Sequence, residues 1–292
     1  MISPVEKVVG VLGGMGPEAT AVFLHRLVQL TDARYDQDHL KIVVVNNPKI
    51  PDRVAHITGS GTSPVPALVE AAQDLVRLGA EIIAIPCNTA HYFWREVQDS
   101  VPVPVLNIIT ETVAAIAEQL ETGSKVGILS TRATADLGLY QVTLETFGLA
   151  GICPDAAHQA NVTKAIDRIK QEGDRQEAAS LLEPCLVHLQ AQGIRAAIFG
   201  CTELGLAPLR TDLQIFDSLE LLARKTVATG QGTAVPAEPS SEASPRTDEV
   251  PSLEARISKS QARGKPQAQK GNIGNRIRDE ERLSGDHPAT RI

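Results

Sequence analysis

Two cysteines occupy equivalent positions in two similar halves of the sequence. Cys87 closes the apolar run IIAIP, and Cys201 closes the apolar run AAIFG. Each cysteine lies eight residues after a glycine, Gly79 in the first half and Gly193 in the second. A thiol that is repeated in this way predicts a single site that holds two matched acid/base groups.

The expected position of both thiols favours proton transfer at carbon. Ligands of open α/β sheets bind outside the carboxyl ends of the strands, where both cysteines are predicted to lie. Each cysteine also precedes a predicted helix start, and a helix N-terminus lowers a thiol pKa from about 8.5 toward neutrality. One thiolate could remove a proton while the opposite thiol delivers another to the other face, which inverts the carbon. A buried structural role is the alternative, and we assign that role to the unpaired Cys153 and Cys185.

Polar groups beside the two cysteines could stabilise the charge that such chemistry creates. A carbanion next to a carboxylate resembles an ene-diolate, whose oxygens need hydrogen-bond donors. The candidate donors are Asn88, Thr89, the backbone N–H of Ala90, Thr131, Thr134 and Thr202. Because Asn and Thr often cap helices, an ordinary capping role is the alternative for these side chains.

Short apolar runs alternate with helical patterns along most of the chain. Strands are predicted at 8–14, 41–47, 82–86, 102–107, 125–131 and 196–200, and helices at 17–31, 65–78, from about 110, and at 135–147, 162–170 and 175–192. Alternation of apolar strands with helices is typical of a parallel sheet covered by helices. The predicted fold class is α/β, with two pseudo-symmetric doubly wound parallel-sheet domains that face each other and a disordered C-terminal tail.

The predicted domain boundaries follow from this repeat and from a change of composition near the end. They are 1–107 and 108–215 for the two α/β domains, 216–229 for a C-terminal helix that returns to the first domain, and 230–292 for a low-complexity tail. The tail has no aromatic residue, and such a segment cannot bury enough apolar area to offset its chain entropy. We therefore expect a disordered segment that catalysis does not require.

Composition limits the partners of the chain. The formal charge of −7 argues against a general nucleic-acid binder, which needs a basic face. No apolar run approaches the roughly 18 residues of a membrane span, and no leader opens the sequence. We expect a cytoplasmic protein with reduced thiols, no nucleic-acid or membrane partner, and a small-molecule substrate.

Two cofactor interpretations receive little support. His91 stands four residues after Cys87, but a metal needs three or four ligands and neither CxxC nor HExxH is present. Hydrogen-bonding support of the PCNTA loop is the preferred role for His91. The GGMG run at 13–16 matches no phosphate-loop motif, so we expect its glycines to let the backbone approach a substrate, with Met15 in the wall. A tight strand-to-helix turn is the alternative. Nothing in the sequence demands pyridoxal phosphate, and we expect no cofactor and no metal.

Several separated motifs resemble those of the aspartate/glutamate racemase family, close to its aspartate racemase branch. They are GVLGGMGPEAT at 10–20, NNPKIPDR at 46–53, IPCNTAH at 85–91 and FGCTELGL at 199–206. The resemblance runs from about Lys7 to Thr226. It implies a cofactor-independent amino-acid racemase that forms a homodimer and uses Cys87 and Cys201 as its two acid/bases.

The resemblance also implies how an acidic substrate is chosen. Arg53 corresponds to the arginine that the aspartate racemase branch places near the side-chain carboxylate, and Lys170 corresponds to the second cation. An arginine can hold a carboxylate through two parallel hydrogen bonds. Aspartate is therefore the expected substrate. A racemase of glutamate or broader specificity, another isomerase or a decarboxylase of the superfamily, and a non-catalytic protein that binds acidic amino acids remain alternatives.

Overall fold

The computed structural model describes residues 6–233, and these residues form eight strands. The strands are β1 (Val9–Gly13), β2 (Ile42–Asn46), β3 (Ile82–Ala84), β4 (Val105–Leu106), β5 (Lys125–Ser130), β6 (Ala150–Ile152), β7 (Ala196–Gly200) and β8 (Gln214–Asp217). They form two parallel sheets, with the order β2-β1-β3-β4 in the first half and β6-β5-β7-β8 in the second. The repeated sequence motifs therefore correspond to a repeated strand topology.

Helices connect the strands throughout the described part of the chain. They are α1 (Pro17–Leu30), α2 (Arg53–Ile57), α3 (Val65–Arg77), α4 (Trp94–Asp99), α5 (Ile108–Ala117), α6 (Arg132–Leu137), α7 (Leu139–Thr146), α8 (Ala156–Asp167), α9 (Arg175–Ala191) and α10 (Ser218–Gly230). Short 3₁₀ turns occur at Asp36–Asp38, Thr89–Phe93 and Leu204–Leu206, and a π-helical turn occurs at Arg168–Glu172. Parallel strands need long crossover connections, and these usually contain an α-helix. The connection from β7 to β8 is the exception within the described residues, because it contains only the 3₁₀ turn Leu204–Leu206.

Each sheet has a topological switch point between its two central strands. In the first sheet β1 leads outward to β2 on one side, and β3 leads to β4 on the other; β5 and β7 do the same in the second sheet. A crevice opens at such a point outside the carboxyl ends of the strands. The loops that follow β1, β3, β5 and β7 are therefore placed to build a ligand site.

One hydrophobic core joins the two halves. Apolar side chains of α1, α5, α7 and α10 pack together with side chains of both sheets. Tyr140 on α7 is among the largest fully buried side chains in this core. Helix α10 packs against α1 and α5, and Arg26 of α1 donates to the Asp217 carboxylate at 2.8 Å, at the start of α10. Because this core is shared, elements of both halves hold the two sheets together.

Gly79 and Gly193 end the helices that precede β3 and β7. Both adopt a left-handed backbone conformation, with φ of +93° and +78°. In each case the next N–H bonds to a carbonyl five residues back, Ala80 to Leu75 and Ile194 to Leu189. This pattern is a Schellman cap, which favours glycine because a side chain disfavours positive φ. The equal spacing of each glycine from its cysteine therefore reflects the same helix end and the same strand.

Two predicted helices differ from the observed ones. The single helix predicted at 135–147 is two helices, α6 and α7, because Gly138 adopts φ of +70° between them. The helix predicted at 162–170 begins earlier, where the Asp155 carboxylate caps α8 by accepting from the N–H of Ala157 and His158. Strands β6 and β8 were not predicted, since β6 has only three half-buried residues and β8 has a mixed sequence.

The α/β fold class with two parallel sheets is confirmed. Residues 234–292, which make up nearly all of the tail predicted to be disordered, lie outside the described residues. Within 6–233, no helix combines the length and the apolar character needed to cross a membrane.

Candidate active site

A cleft opens at the carboxyl ends of the central strands, and both Cys87 and Cys201 line it. The full lining is Met15, Asp52, Arg53, Val54, Cys87, Asn88, Thr89, Thr131, Lys170, Cys201, Thr202 and Glu203. Nine of the eleven site residues predicted from the sequence belong to this set. The structure therefore brings together residues that are separated by up to 188 positions in the chain.

Cys87 follows β3 at the start of a loop that His91 holds in place. The His91 Nδ1 lies 2.8 Å from the carbonyl oxygen of Cys87, and its Nε2 lies 3.3 Å from the carbonyl oxygen of Leu106. Burial lowers the pKa of His91 from 6.5 to about 4, so the ring is neutral near pH 7. A neutral imidazole has one N–H and donates to only one of the two carbonyls. These contacts match the predicted role of His91 as support for the PCNTA loop.

Cys201 lies in a different electrostatic setting from the one that its sequence predicts. Its Sγ donates to the Glu203 Oε2 at 3.0 Å, and the Thr202 hydroxyl donates to the same oxygen at 3.0 Å. Burial first and the charge of Glu203 second raise the pKa of the Cys201 thiol well above its ordinary value. The expectation that a helix N-terminus lowers this pKa is therefore wrong for Cys201. The turn that follows, Leu204–Leu206, has only three residues, too short to develop a helix dipole.

Lys170 balances the negative charges of this side of the cleft. Its Nζ lies 3.4 Å from the Glu203 Oε1. Burial opposes protonation of Lys170, but Coulombic attraction to Glu203 and to the ionised forms of Cys201 and Cys87 outweighs it and raises the pKa of the ammonium group above its ordinary value. Lys170 therefore carries a positive charge that interacts electrostatically with both cysteines and with Glu203.

The π-helical turn between α8 and α9 is what places Lys170 in the cleft. This turn, Arg168–Glu172, ends at Gly173, whose φ is +67°. The Asp174 carboxylate then caps α9 by accepting from the N–H of Glu177. Single π-helical turns occur frequently at functional sites.

Arg53 enters the cleft from the N-terminus of α2. Its guanidinium donates to the carbonyl oxygens of Pro51 at 3.1 Å, Ile50 at 3.4 Å and Met15 at 3.4 Å. The Nε atom is buried and has no hydrogen-bond partner among the described residues. A buried unpaired donor costs about 1–3 kcal/mol, so an anionic ligand that accepted from Nε would recover part of that energy.

Three threonine hydroxyls form a triangle between the two halves. The Thr89 Oγ1 lies 3.0 Å from the Thr131 Oγ1 and 3.1 Å from the Thr134 Oγ1, and Thr131 donates to Thr134 at 2.9 Å. Thr131 also caps α6 by accepting from the N–H of Thr134. Thr89 and Thr131 line the cleft, whereas the predicted residues Thr134 and Ala90 are buried and are not part of the lining.

The side chain of Asn88 is already bound to protein groups. Its Nδ2 donates to the Ser218 Oγ at 2.9 Å, its Oδ1 accepts from the Tyr140 hydroxyl at 2.5 Å, and Ser218 in turn donates to the Phe199 carbonyl oxygen at 2.7 Å. Burial raises the pKa of Tyr140, which keeps the phenol protonated as a donor. Asn88 therefore connects the cleft to elements of the second half, and one hydrogen of its amide group is left for a ligand.

The glycines of the GGMG loop allow close packing of its backbone against neighbouring residues. A Cβ on Gly13 would lie 2.3 Å from Cγ2 of Thr20, and a Cβ on Gly14 would lie 2.3 Å from the backbone of Asn47. The Thr20 hydroxyl accepts from the Gly14 N–H and donates to the Gly16 carbonyl oxygen, both at 2.9 Å. The tight-turn interpretation therefore holds for Gly13 and Gly14, and Met15 lines the cleft as predicted.

Three residues of the lining were not assigned to the site from the sequence, namely Asp52, Val54 and Glu203. Asp52 caps α2 by accepting from the Ala55 N–H. The side chain of Glu203 is only 4% exposed. A carboxylate is almost never buried in this way without a partner. Its position two residues after Cys201 was the available signal, but a sequence does not reveal burial.

The chain matches the Asp/Glu/Hydantoin racemase family over residues 12–226. This match covers more than half of the chain and includes both cysteine motifs. The chain belongs to the Asp/Glu/Hydantoin racemase family. The resemblance seen in its motifs is thereby confirmed, and the family supports amino-acid racemase activity.

Similar proteins of this family span the described fold. The broad specificity amino-acid racemase RacX of Bacillus subtilis is 30% identical over 230 residues, which cover 76% of this chain and 97% of that protein. The structure of Picrophilus torridus aspartate racemase is 30% identical with a TM-score of 0.69, and the match covers 78% of this chain and all of that one. An aspartate racemase homologue from Pyrococcus horikoshii is 25% identical with a TM-score of 0.63 over 77% of this chain and 99% of that one.

Proposed function

We propose that this family member is an aspartate racemase that inverts the α-carbon with Cys87 and Cys201 and without pyridoxal phosphate. The observation that carries the proposal is the single cleft lined by two thiols, Arg53 and Lys170. Two acid/base groups suit inversion of the α-carbon, and two cations suit binding of a second carboxylate. The similarity to a protein named aspartate racemase, and to one named a homologue of aspartate racemase, supports the proposed substrate.

The hydrogen bond of Cys201 defines the starting protonation in this mechanism. Its thiol donates to Glu203 and so begins as the acid, which leaves the role of base to Cys87. Cys87 takes the α-proton, the electron pair moves into the α-carboxylate to form an ene-diolate, and Cys201 protonates the opposite face. The reverse reaction starts from the opposite protonation state. One proton leaves and one arrives, so the substrate composition is unchanged.

The remaining lining residues divide between the two carboxylates of the substrate. The Thr89 hydroxyl and the remaining amide hydrogen of Asn88 supply donors for the ene-diolate oxygens. The hydroxyls of Thr131 and Thr202 donate to Thr134 and Glu203, and each must turn away from that partner to join them. Arg53 and Lys170 face the side-chain carboxylate. The unpaired Nε of Arg53 and its adjacent NH₂ group form the edge that could bind two carboxylate oxygens in parallel.

Exchange of the α-proton in D₂O tests the thiol mechanism directly. Purified protein with no added cofactor is incubated with L- or D-aspartate, and loss of the α-proton signal is followed together with chiral chromatography. We expect deuterium at the α-carbon and formation of the other enantiomer, with both activities abolished by Cys87→Ala or Cys201→Ala. Cys153→Ala is the matched control, because this half-buried thiol lies outside the cleft lining and the variant should keep full activity.

Two outcomes would overturn the proposal. Full racemisation by either cleft variant would exclude the two-base mechanism. Tight aspartate binding without any exchange would instead identify a non-catalytic binding protein.

A broad-specificity racemase is the second candidate, and one structural feature favours it. Glu203 partly neutralises Lys170, which leaves Arg53 as the cation of the lining without a carboxylate partner among the described residues. The relative RacX is itself named a broad specificity amino-acid racemase. A single unpaired cation binds the side-chain carboxylate of an acidic substrate less strongly than two unpaired cations would, so it discriminates less against neutral amino acids.

Replacement of Arg53 distinguishes the two candidates on a panel of amino acids. Arg53→Lys keeps the charge but loses the fork, so kcat/KM for aspartate should fall about 10- to 100-fold, the equivalent of one charged hydrogen-bond pair. The values for alanine and serine should change little, and the exposed Arg34→Lys should leave all values unchanged. Equal losses for acidic and neutral substrates would favour the broad-specificity candidate.

A further inference from the structure

A second cluster of ligand-type side chains lies outside the cleft, where α8 begins and α9 ends. Asp155 caps α8, His158 lies in its first turn, and His188 lies in the last turn of α9. The ligand atoms of these three residues all lie within 4.8 Å of one another. It is the one group of this kind found within residues 6–233. None of the three lines the racemase cleft.

The spacing of these atoms suits a small divalent transition metal. The His158 Nδ1 lies 2.8 Å from the Asp155 Oδ1, and the His188 Nε2 lies 3.5 Å from the Asp155 Oδ2. Ligands held at roughly 2.0–2.1 Å around a tetrahedral zinc ion are about 3.3 Å apart. The two imidazole rings stack face to face, with centroids 4.0 Å apart and planes inclined by 19°. Their in-plane lone pairs are therefore nearly parallel, and the two rings must rotate apart to direct both nitrogens at one ion beside Asp155.

A bound metal would replace two hydrogen bonds of the cluster. The amide of Gln192 contacts the His188 Nε2 at 2.7 Å, and an amide N–H that donates there uses the single lone pair of an unprotonated nitrogen, which the metal would take over. The contact of the His158 Nδ1 with the Asp155 Oδ1 would be exchanged for a metal bond in the same way. Asp155 uses Oδ1 to cap α8, whereas Oδ2 faces His188. The side chains of both histidines are 25% exposed and that of Asp155 is 52% exposed, so an ion can enter and water can complete its coordination.

We propose that Asp155, His158 and His188 bind a divalent transition metal of the zinc class, with water as the remaining ligand. Two imidazoles and one carboxylate form a donor set that suits such ions. The site joins two helices whose connecting turn carries Lys170, and it links positions 30 residues apart in the chain. Binding of the metal clamps the open end of this helical hairpin, and the resulting stabilisation of the folded state grows with the logarithm of the metal concentration above Kd.

Titration of the full chain with Co²⁺ tests the site, since the visible bands of cobalt report its ligands. We expect one strong site per chain whose spectrum lacks thiolate charge-transfer bands, and Zn²⁺ should displace the cobalt. Asp155→Asn, which keeps the helix cap, and His188→Ala should each weaken binding at least tenfold. The exposed His25→Ala is the matched control and should bind as the unaltered protein does.

A melting experiment complements the titration and does not depend on racemase activity. Zn²⁺ should raise the melting temperature of the unaltered chain and of His25→Ala relative to EDTA, but not that of His188→Ala. Equal metal affinity in all three proteins would overturn the proposal. Thiolate charge-transfer bands that disappear in Cys87→Ala or Cys201→Ala would also overturn it, because they would place the metal at the cleft.

Discussion

At the residue scale, Glu203 makes the two cysteines unequal. The Cys201 Sγ donates to the Glu203 Oε2, whereas the backbone carbonyl of Cys87 is held by His91. A carboxylate beside a thiol opposes its ionisation, because it places a second negative charge in a buried region. In the proposed mechanism, Glu203 would therefore keep Cys201 protonated until it delivers its proton.

Replacement of Glu203 should change the titration of Cys201. In Glu203→Gln the negative charge that raises the pKa of Cys201 is gone, so the thiol should ionise at lower pH. The measurement is the rate of iodoacetamide alkylation against pH, with the Cys201 peptide identified by mass spectrometry. Glu183→Gln, an exposed position on α9, is the control and should keep the original midpoint. An unchanged midpoint in Glu203→Gln would remove the proposed role of this carboxylate.

His91 should make the stability of the fold sensitive to acid. The pKa of His91 is about 4 in the folded protein and 6.5 in its ordinary state. At a pH between these two values, His91 is protonated in the unfolded chain and neutral in the folded one. The free energy of unfolding therefore falls as the pH drops through this window, by about 3 kcal/mol for a shift from 6.5 to about 4.

Urea unfolding between pH 7 and pH 4 measures this contribution. His91→Gln removes the titrating group, so its stability should decline less steeply with acid than that of the unaltered protein. The exposed His25→Gln should keep the original slope. Parallel pH profiles for all three proteins would show that His91 does not carry this dependence.

At the element scale, helix ends position the reactive groups. Each cysteine follows a strand that is preceded by a Schellman cap, and Lys170 lies in a π-helical turn between two helices. The spacing of Gly79 and Gly193 from the cysteines was visible in the sequence, and it corresponded to a real structural repeat. The turn that carries Lys170 was not predicted, because its residues also fit a regular helix.

The cap at Gly193 provides a test of this element. Its φ is +78°, and a Cβ there would meet no atom within 4 Å, so Gly193→Ala is penalised by backbone conformation alone. The expected loss of unfolding free energy is about 1–2 kcal/mol, because a side chain disfavours the left-handed region. Gly193→Asn should lose less, since Asn tolerates that conformation. Urea unfolding measures both, and equal losses would contradict the conformational explanation.

At the scale of the whole molecule, the described fold contains all residues that the proposed chemistry uses. The buried core extends from Val9 to Val227, and the family match ends at residue 226. The cleft lies between loops of both halves, which the shared core around Tyr140 holds together. Racemisation should therefore depend on this part of the chain.

Removal of residues 234–292 tests that dependence. A chain that ends at residue 233 should keep the melting temperature and the kcat/KM of the full chain, because the composition of the removed segment gives it little apolar area to bury. Calorimetry and the racemisation assay provide the two measurements. A large loss of either would assign a structural or catalytic role to the segment.

The sequence by itself determined the α/β class, the duplication and the two cysteines, because these depend on local apolar periodicity and on motifs a few residues long. Nine of the predicted site residues also proved to line one cleft. Only the tertiary structure decided that Glu203 is buried against Cys201, that the Asn88 side chain is held by Tyr140, and that two histidines 30 residues apart stack beside Asp155. Burial and long-range contacts set these charges and hydrogen bonds, and neither is encoded in any short stretch of the chain.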